Sequence, residues 1–255
     1  MSDTCGSGKT LEIANVRLHD LTFEEIIIRS EKTIADRDSS LFIVTLDILG
    51  AYKSIFDAEY HDCIMNCDLV TCDGAGLKLL SMIKYPRQIK NKVSGVDLAE
   101  RLLRVADDKK YRVAFIGSRE ETIKKLEGKI KEEYPGIAAP FFHDGYFDAR
   151  EFSSIVARLV VSKPAMIFFG LGNPAQEKTI NAVRRLFPGT VMVGVGGSFD
   201  VMSGALKRAP LIMQKFYLEW LYRLWQEPSR IFRMINIPKY IIYVFICEAL
   251  KWMRK

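Results

Sequence analysis

The 255-residue chain is 49% hydrophobic and 27% charged, a balance that supports a sizeable core and excludes wholesale disorder and a multispanning membrane protein. Its formal charge of +6 is unevenly placed: residues 207–255 hold ten Lys or Arg and three Asp or Glu, whereas residues 1–206 hold 27 and 28. The basic character therefore belongs to the carboxy-terminal tail, which argues against a nucleic-acid-binding surface spread over the whole protein.

The opening MSDTCGSGKT shows no secretory-signal pattern. Its CGSGKT is only half of a Walker A loop, because Asp3 stands where the first glycine belongs and no strand precedes it. LFIVTLDIL at 41–49 predicts a strand and turn, followed by a helix over about 51–65. DLVTC at 68–72 is a second strand that delivers the acidic turn DGAG, 73–76. YRVAFI, 111–116, ends at Gly117-Ser118 before a charged helix over 119–134. AMIFFG, 165–170, precedes GNPAQEKTI with a helix starting beyond Pro174, and TVMVGVGG, 190–197, adds a strand and glycine turn. This order predicts an α/β fold, a mostly parallel Rossmann-like sheet flanked by helices, with the reaction cleft at the strand ends.

The expected division is an α/β body over 12–206 and a basic, aromatic helical appendage over 207–255. Pro228 and Pro238 argue against one uninterrupted tail helix. YIIYVFIC, 240–247, is too short to cross a bilayer and suits docking or lying on a membrane surface. Cys5, Cys63, Cys67, Cys72 and Cys247 define no disulfide framework, and a reducing cytosol fits them better than export. The central three read as structural thiols, and His19, His61 and His143 form no metal set. No metal and no cofactor are expected.

Asp73, in a tight turn after a strand, suits a base that takes a proton from a hydroxyl, or a turn cap using the same oxygens; spacing alone leaves both open. Asp97 and Asp200 read as structural or binding carboxylates. Thr45, Ser94, Ser118 and Ser198 suit sugar or phosphate oxygens. Gly194, Gly196 and Gly197 permit either close ligand approach or a special backbone turn. In GLGNPAQEK, Asn173 and Gln176 offer hydrogen bonds to a ligand or define a turn and helix cap.

Taken together, LVTCDGAG at 69–76, VSGVDL at 93–98, IGS at 116–118, HDGYF at 143–147, GLGNPAQE at 170–177, VGGSFDVMSG at 195–204, RAP at 208–210 and LEWLYRLWQEPSRIFR at 218–233 resemble the WecG/TagA/CpsF family of bacterial glycosyltransferases. The resemblance implies an inverting, membrane-associated transferase. It would pass a sugar such as N-acetylmannosamine from a UDP-sugar to a polyprenyl-diphosphate-linked acceptor on the cytoplasmic face, in cell-surface polysaccharide or teichoic-acid-type synthesis. It also implies Asp73 as general base, with Thr45, Asp47, Gln176 and the tail residues Arg223, Arg230 and Arg233 binding substrate. Asp47 departs from the asparagine often found there, which bears on sugar or phosphate recognition. Ser94, Asp97, Gly117, Ser118, Asn173, Gly196, Gly197, Asp200 and Arg208 complete the expected pocket. Peripheral attachment to an anionic membrane and self-association are further expectations. A sugar-nucleotide-binding or hydrolytic protein, or a non-catalytic membrane-associated interaction protein, is the alternative.

Overall fold

Short runs of Val, Ile, Leu and Phe without polar alternation form strands buried on both faces, as a helix-covered parallel sheet requires. The computed structural model describes residues 10–85 and 88–253; Cys5 to Lys9 of CGSGKT, Arg254 and Lys255 lie outside the described residues. Strands β1 (Thr10–Ile13) and β2 (Val16–His19) form an antiparallel hairpin, followed by α1 (Phe23–Asp36). The body continues through β3 (Leu41–Leu46), α2 (Ile48–Lys53), α3 (Ala58–Asn66), β4 (Leu69–Cys72), α4 (Ala75–Lys84) and α5 (Gly95–Asp108). Next come β5 (Arg112–Gly117), α6 (Glu120–Glu133), β6 (Ala138–His143), α7 (Ala149–Ser162), β7 (Met166–Gly170), α8 (Ala175–Val183), β8 (Val191–Gly194) and α9 (Ser198–Met202). The tail holds α10 (Leu211–Lys215), α11 (Glu219–Gln226), a 3-10 turn at Pro228–Arg230, α12 (Ile231–Met234) and α13 (Asn236–Met253).

The six-stranded sheet has the order β4-β3-β8-β7-β5-β6, with every pair parallel. Alternate residues feed two cores. Phe42, Val44 and Leu46 face one with Phe169 and Met192; Leu41 and Ile43 face the other with Phe115, Phe168 and Val193. All six carboxyl ends therefore lie along one edge, and their loops carry Asp47, Asp73, Ser118, Asp144, Asn173 and Gly196.

Two expectations need correction. The helix expected over 51–65 is two, because Asp57 caps a new start by accepting the Tyr60 amide at 3.0 Å. Pro238 does not end a helix; it occupies the first turn of α13, where its missing N–H costs no helical bond. The break at Pro228 is present. The strand and glycine turn expected over 190–197 are both present, the strand ending at Gly194 and the chain turning at Gly196 with φ +52°.

The segment around YIIYVFIC docks on the body. Tyr240 and Val244 are fully buried in the core that also contains Ile48 and Ala51 of α2, and the Tyr240 hydroxyl donates to Asn15 Oδ1 at 3.2 Å. The Tyr85 hydroxyl donates to Glu248 at 3.1 Å. The distal tail is thus part of the core on one face and exposed at Phe245, Ile246 and Trp252 on the other.

Candidate active site

β4 ends in Asp73-Gly74, and the left-handed φ of Gly74 (+74°) lets α4 start immediately after the carboxylate. The Asp73 amide donates to Leu46 O at 2.9 Å, tying this turn to the end of β3, and its carboxylate accepts the Gly95 amide at 3.1 Å. Although Asp73 keeps some surface, protein encloses its carboxylate, and the resulting desolvation pushes its pKa up to about 6. The Gly95 hydrogen bond, Arg223 and Lys92 oppose that rise, while Asp47 adds to it. A base ionised at neutral pH yet strong enough to bind a proton is suited to deprotonating a hydroxyl.

The side chains around it divide into those facing the cleft and those that build it. Thr45 donates to Gly194 O at 2.8 Å, stitching β3 to β8. Gly95 fits against this pair so closely that a Cβ there would lie 3.1 Å from Ser198 Oγ and 3.2 Å from Thr45 Oγ1. Asp47 caps α2 by accepting the Gly50 amide at 2.7 Å. Asparagine fills the same role about equally well, so the departure from asparagine leaves the local fold intact while adding charge near Asp73.

Gln176 is buried; its Oε1 accepts the Gly196 amide at 2.9 Å and its Nε2 donates to Glu177 at 2.8 Å. It fixes the glycine turn after β8. Asn173 offers both its backbone carbonyl and Oδ1 to Lys53 Nζ, each at 2.8 Å. Ser118, at φ +62°, donates to Asp200 at 3.1 Å. Gly117 is required because a Cβ would strike Gly170 of the neighbouring strand at 2.4 Å. A Cβ on Gly172 or Gly196 would meet nothing within 4 Å, so these two loops present bare backbone to open space at the ends of β7 and β8. Gly197 stands beside Asp200.

Ser94 caps α5 and bonds Asp97, which pairs with Arg208; Arg208 also reaches Glu100 at 3.6 Å. Burial raises the Asp97 pKa, but Ser94 and Arg208 outweigh it and hold the carboxyl below its usual range. This trio latches the start of the tail to the body. Lys92 pairs with Glu219 at 2.5 Å, fixing α11 where Arg223 acts on Asp73. Arg230 is engaged by Glu227 within the tail, and Arg233 is exposed. Of the three expected tail arginines, Arg223 is the one brought to the carboxylate.

Sequence reasoning missed Lys92, Gly95 and Glu177. The first two flank the recognised Ser94 without forming a chemical motif of their own. Glu177 lay in plain view beside Gln176, but its burial depends on the packing of α8 against α3. Desolvation pushes its pKa up to about 7; its Oε2 and the Tyr60 hydroxyl are buried without a hydrogen-bond partner among the described residues. Among these residues no group of three or more His, Cys, Asp or Glu converges to hold a metal. Burial raises the thiol pKa values of Cys63, Cys67 and Cys72 and suits them to packing rather than reaction.

The profile of the Glycosyl transferase WecG/TagA/CpsF family matches residues 11–254. A protein of Bacillus subtilis named N-acetylglucosaminyldiphosphoundecaprenol N-acetyl-beta-D-mannosaminyltransferase is 37% identical over 237 residues, covering 92% of this chain and 91% of its own. Its namesake from Bacillus spizizenii is 36% identical over the same coverage. A Staphylococcus aureus protein of that name is 30% identical over 247 residues, 96% of this chain and 94% of its own.

Proposed function

The chain belongs to the WecG/TagA/CpsF glycosyl transferase family, and from that premise we propose that it moves an N-acetylmannosamine-type sugar from UDP to a polyprenyl-diphosphate-linked acceptor sugar with inversion. Asp73 takes the proton of the acceptor hydroxyl as that oxygen attacks the anomeric carbon. The carbon–oxygen bond to the nucleotide diphosphate breaks, UDP leaves with the bonding pair, and attack from the opposite face inverts the configuration. Arg223 contributes fixed positive charge beside the reacting groups, in a site where little reorganisation is needed as charge moves to the leaving diphosphate. Arg230 and Arg233 extend this charge along the tail, and the appendage completes the site.

The observation that carries this reading is the enclosed Asp73 carboxylate at the end of β4, poised near pH 6 and faced by a tail arginine. Bare glycine backbone at the ends of β7 and β8 supports a nucleotide diphosphate approaching the same edge. Exposed Leu211, Trp225, Phe232 and Trp252, together with the basic tail, support peripheral attachment to the anionic cytoplasmic membrane face; among the described residues no helix is long and apolar enough to cross a membrane. The test is a product assay with several UDP-sugars and short-chain lipid diphosphate acceptors. A β-linked glycosyl product from an α-linked donor is expected. UDP release without glycosyl product, or a retained anomeric configuration, refutes the reading.

A further inference from the structure

Beside Asp73, along the loop at residues 88–94 that joins α4 to α5, lies a cavity of about 430 Å³ between α4, the start of α1 and the end of α10. Four lysines line it, Lys78, Lys90, Lys92 and Lys215, against a single carboxylate, Glu24, that Arg101 engages at 3.3 Å. Lys78 Nζ donates to Lys90 O at 2.7 Å and Lys92 holds Glu219. The ammonium groups of Lys90 and Lys215 have no hydrogen-bond or ion-pair partner among the described residues. Like charges gathered around one concavity repel each other and attract an anion.

The cavity wall is also built at a conformational cost. Tyr217 adopts φ +61°, closing α10 in a Schellman turn: its amide donates to Gln214 O and that of Leu218 to Met213 O at 2.7 Å. Glycine is the usual residue at that position, and a bulky side chain there is strained. Here the aromatic ring stands 5.6 Å from Lys78 Nζ and 5.8 Å from Lys92 Nζ, positioning both cations.

Resting on the proposed transfer reaction, we infer that this lysine-lined cavity binds the diphosphate of the lipid-linked acceptor. Lys92 belongs both to the cavity and to the charges acting on Asp73, so a diphosphate held there directs its attached sugar toward the base. The hydrocarbon has an apolar way out. Met82, one helical turn beyond Lys78, is 48% exposed, and Ile212, three residues before Lys215, is 71% exposed. The open glycine backbone of Gly172 and Gly196 stands in the loops after β7 and β8 and is left to the donor. The site thus separates two chemically similar diphosphates by position.

The test pairs Lys90→Gln with Lys215→Gln in the full chain, both side chains being free of internal bonds the fold needs. Calorimetry measures the Kd of farnesyl diphosphate, pyrophosphate, UDP and phosphatidylglycerol vesicles, and steady-state assays measure KM for a short-chain diphosphate acceptor. The double variant is expected to raise the farnesyl diphosphate Kd and the acceptor KM by about tenfold or more, the scale of losing charge-assisted contacts, with UDP binding unchanged. Unchanged farnesyl diphosphate Kd and acceptor KM overturn the inference. Equal loss of UDP affinity also overturns it, by assigning the cavity to the donor. Loss confined to phosphatidylglycerol vesicles marks a phospholipid headgroup site, and loss confined to pyrophosphate a free-anion site; both overturn the acceptor assignment. The farnesyl diphosphate measurement needs no turnover, so an absence of glycosyl product refutes the transfer reaction without deciding the cavity.

Discussion

Replacing Asp73 by Asn separates the chemical role of the carboxylate from its structural one. The amide oxygen can still accept the Gly95 N–H that Asp73 receives at 3.1 Å, so the turn after β4 persists while the base is lost. Turnover should fall by about 10² to 10⁴-fold, the usual worth of a positioned proton-transfer group. With its pKa at about 6, the Asp73 carboxylate is about one-eleventh ionised at pH 5 and ten-elevenths at pH 7, giving the wild type an acid limb of about tenfold. Stability moves the other way. Burial raises this carboxyl from 3.8 to about 6 on folding, so the folded state binds the proton more tightly and loses stability as pH rises through that interval. By pH 7 the loss reaches about 3 kcal/mol as an upper estimate. The Asp73→Asn variant should therefore unfold at higher urea than the wild type at pH 7.5, with the charge-related difference vanishing below pH 4. Product formation across pH 5 to 8 and urea melts at both ends check the two halves. Full turnover in the variant, or an unchanged acid limb, removes Asp73 from the role of base.

Arg223→Gln removes a cation that favours the Asp73 carboxylate; the acid limb should move to higher pH and turnover at pH 7 should drop by about 10²-fold, read from the pH–rate profile. Glu177→Gln should leave stability unchanged below pH 4.5 and raise it as pH climbs through 7, by up to about 3 kcal/mol, because the wild type must ionise a buried acid; thermal melts at pH 4 and 8 measure the difference. Tyr240→Ala should cost about 3 to 5 kcal/mol, as for other large buried side chains, and lower the melting temperature by on the order of 10 °C; an unchanged melt shows that α13 is not part of the core.

Strand placement was legible because buried parallel strands are written as unbroken apolar runs, as in LFIVTL and AMIFFG. The starts of α5 and α7 are marked by the caps Ser94 and Asp148, but a single capping residue is too common in turns to announce a helix by itself. Asp57 was harder to read: whether an aspartate inside an amphipathic stretch interrupts a helix depends on the tertiary route of the chain. In the site, motif residues drew notice by chemical type, but their division of labour required distances. Thr45 joins β3 to β8 and Gln176 ties α8 to the glycine turn after β8, and Arg208 latches the tail. Nothing in the sequence marks Lys90 and Lys215, 125 positions apart, as facing one cavity.

The hydrogen bond from Tyr240 to Asn15 spans 225 positions, and its helix covers the same core face as α2, whose first residues border Asp73. At about 5 to 20 residues per second of synthesis, roughly 10 to 45 s separate the making of Asn15 from that of Tyr240. During that interval the face around Ile48 and Ala51 has no α13 to cover it, and Asp73 has no Arg223 beside it. A nascent chain is therefore a client for chaperones before it is a catalyst. Translation that stops short of α13 leaves the apolar face open although Arg223 on α11 has already been made, so a truncated chain can carry every charge of the site and still lack the helix that closes the core.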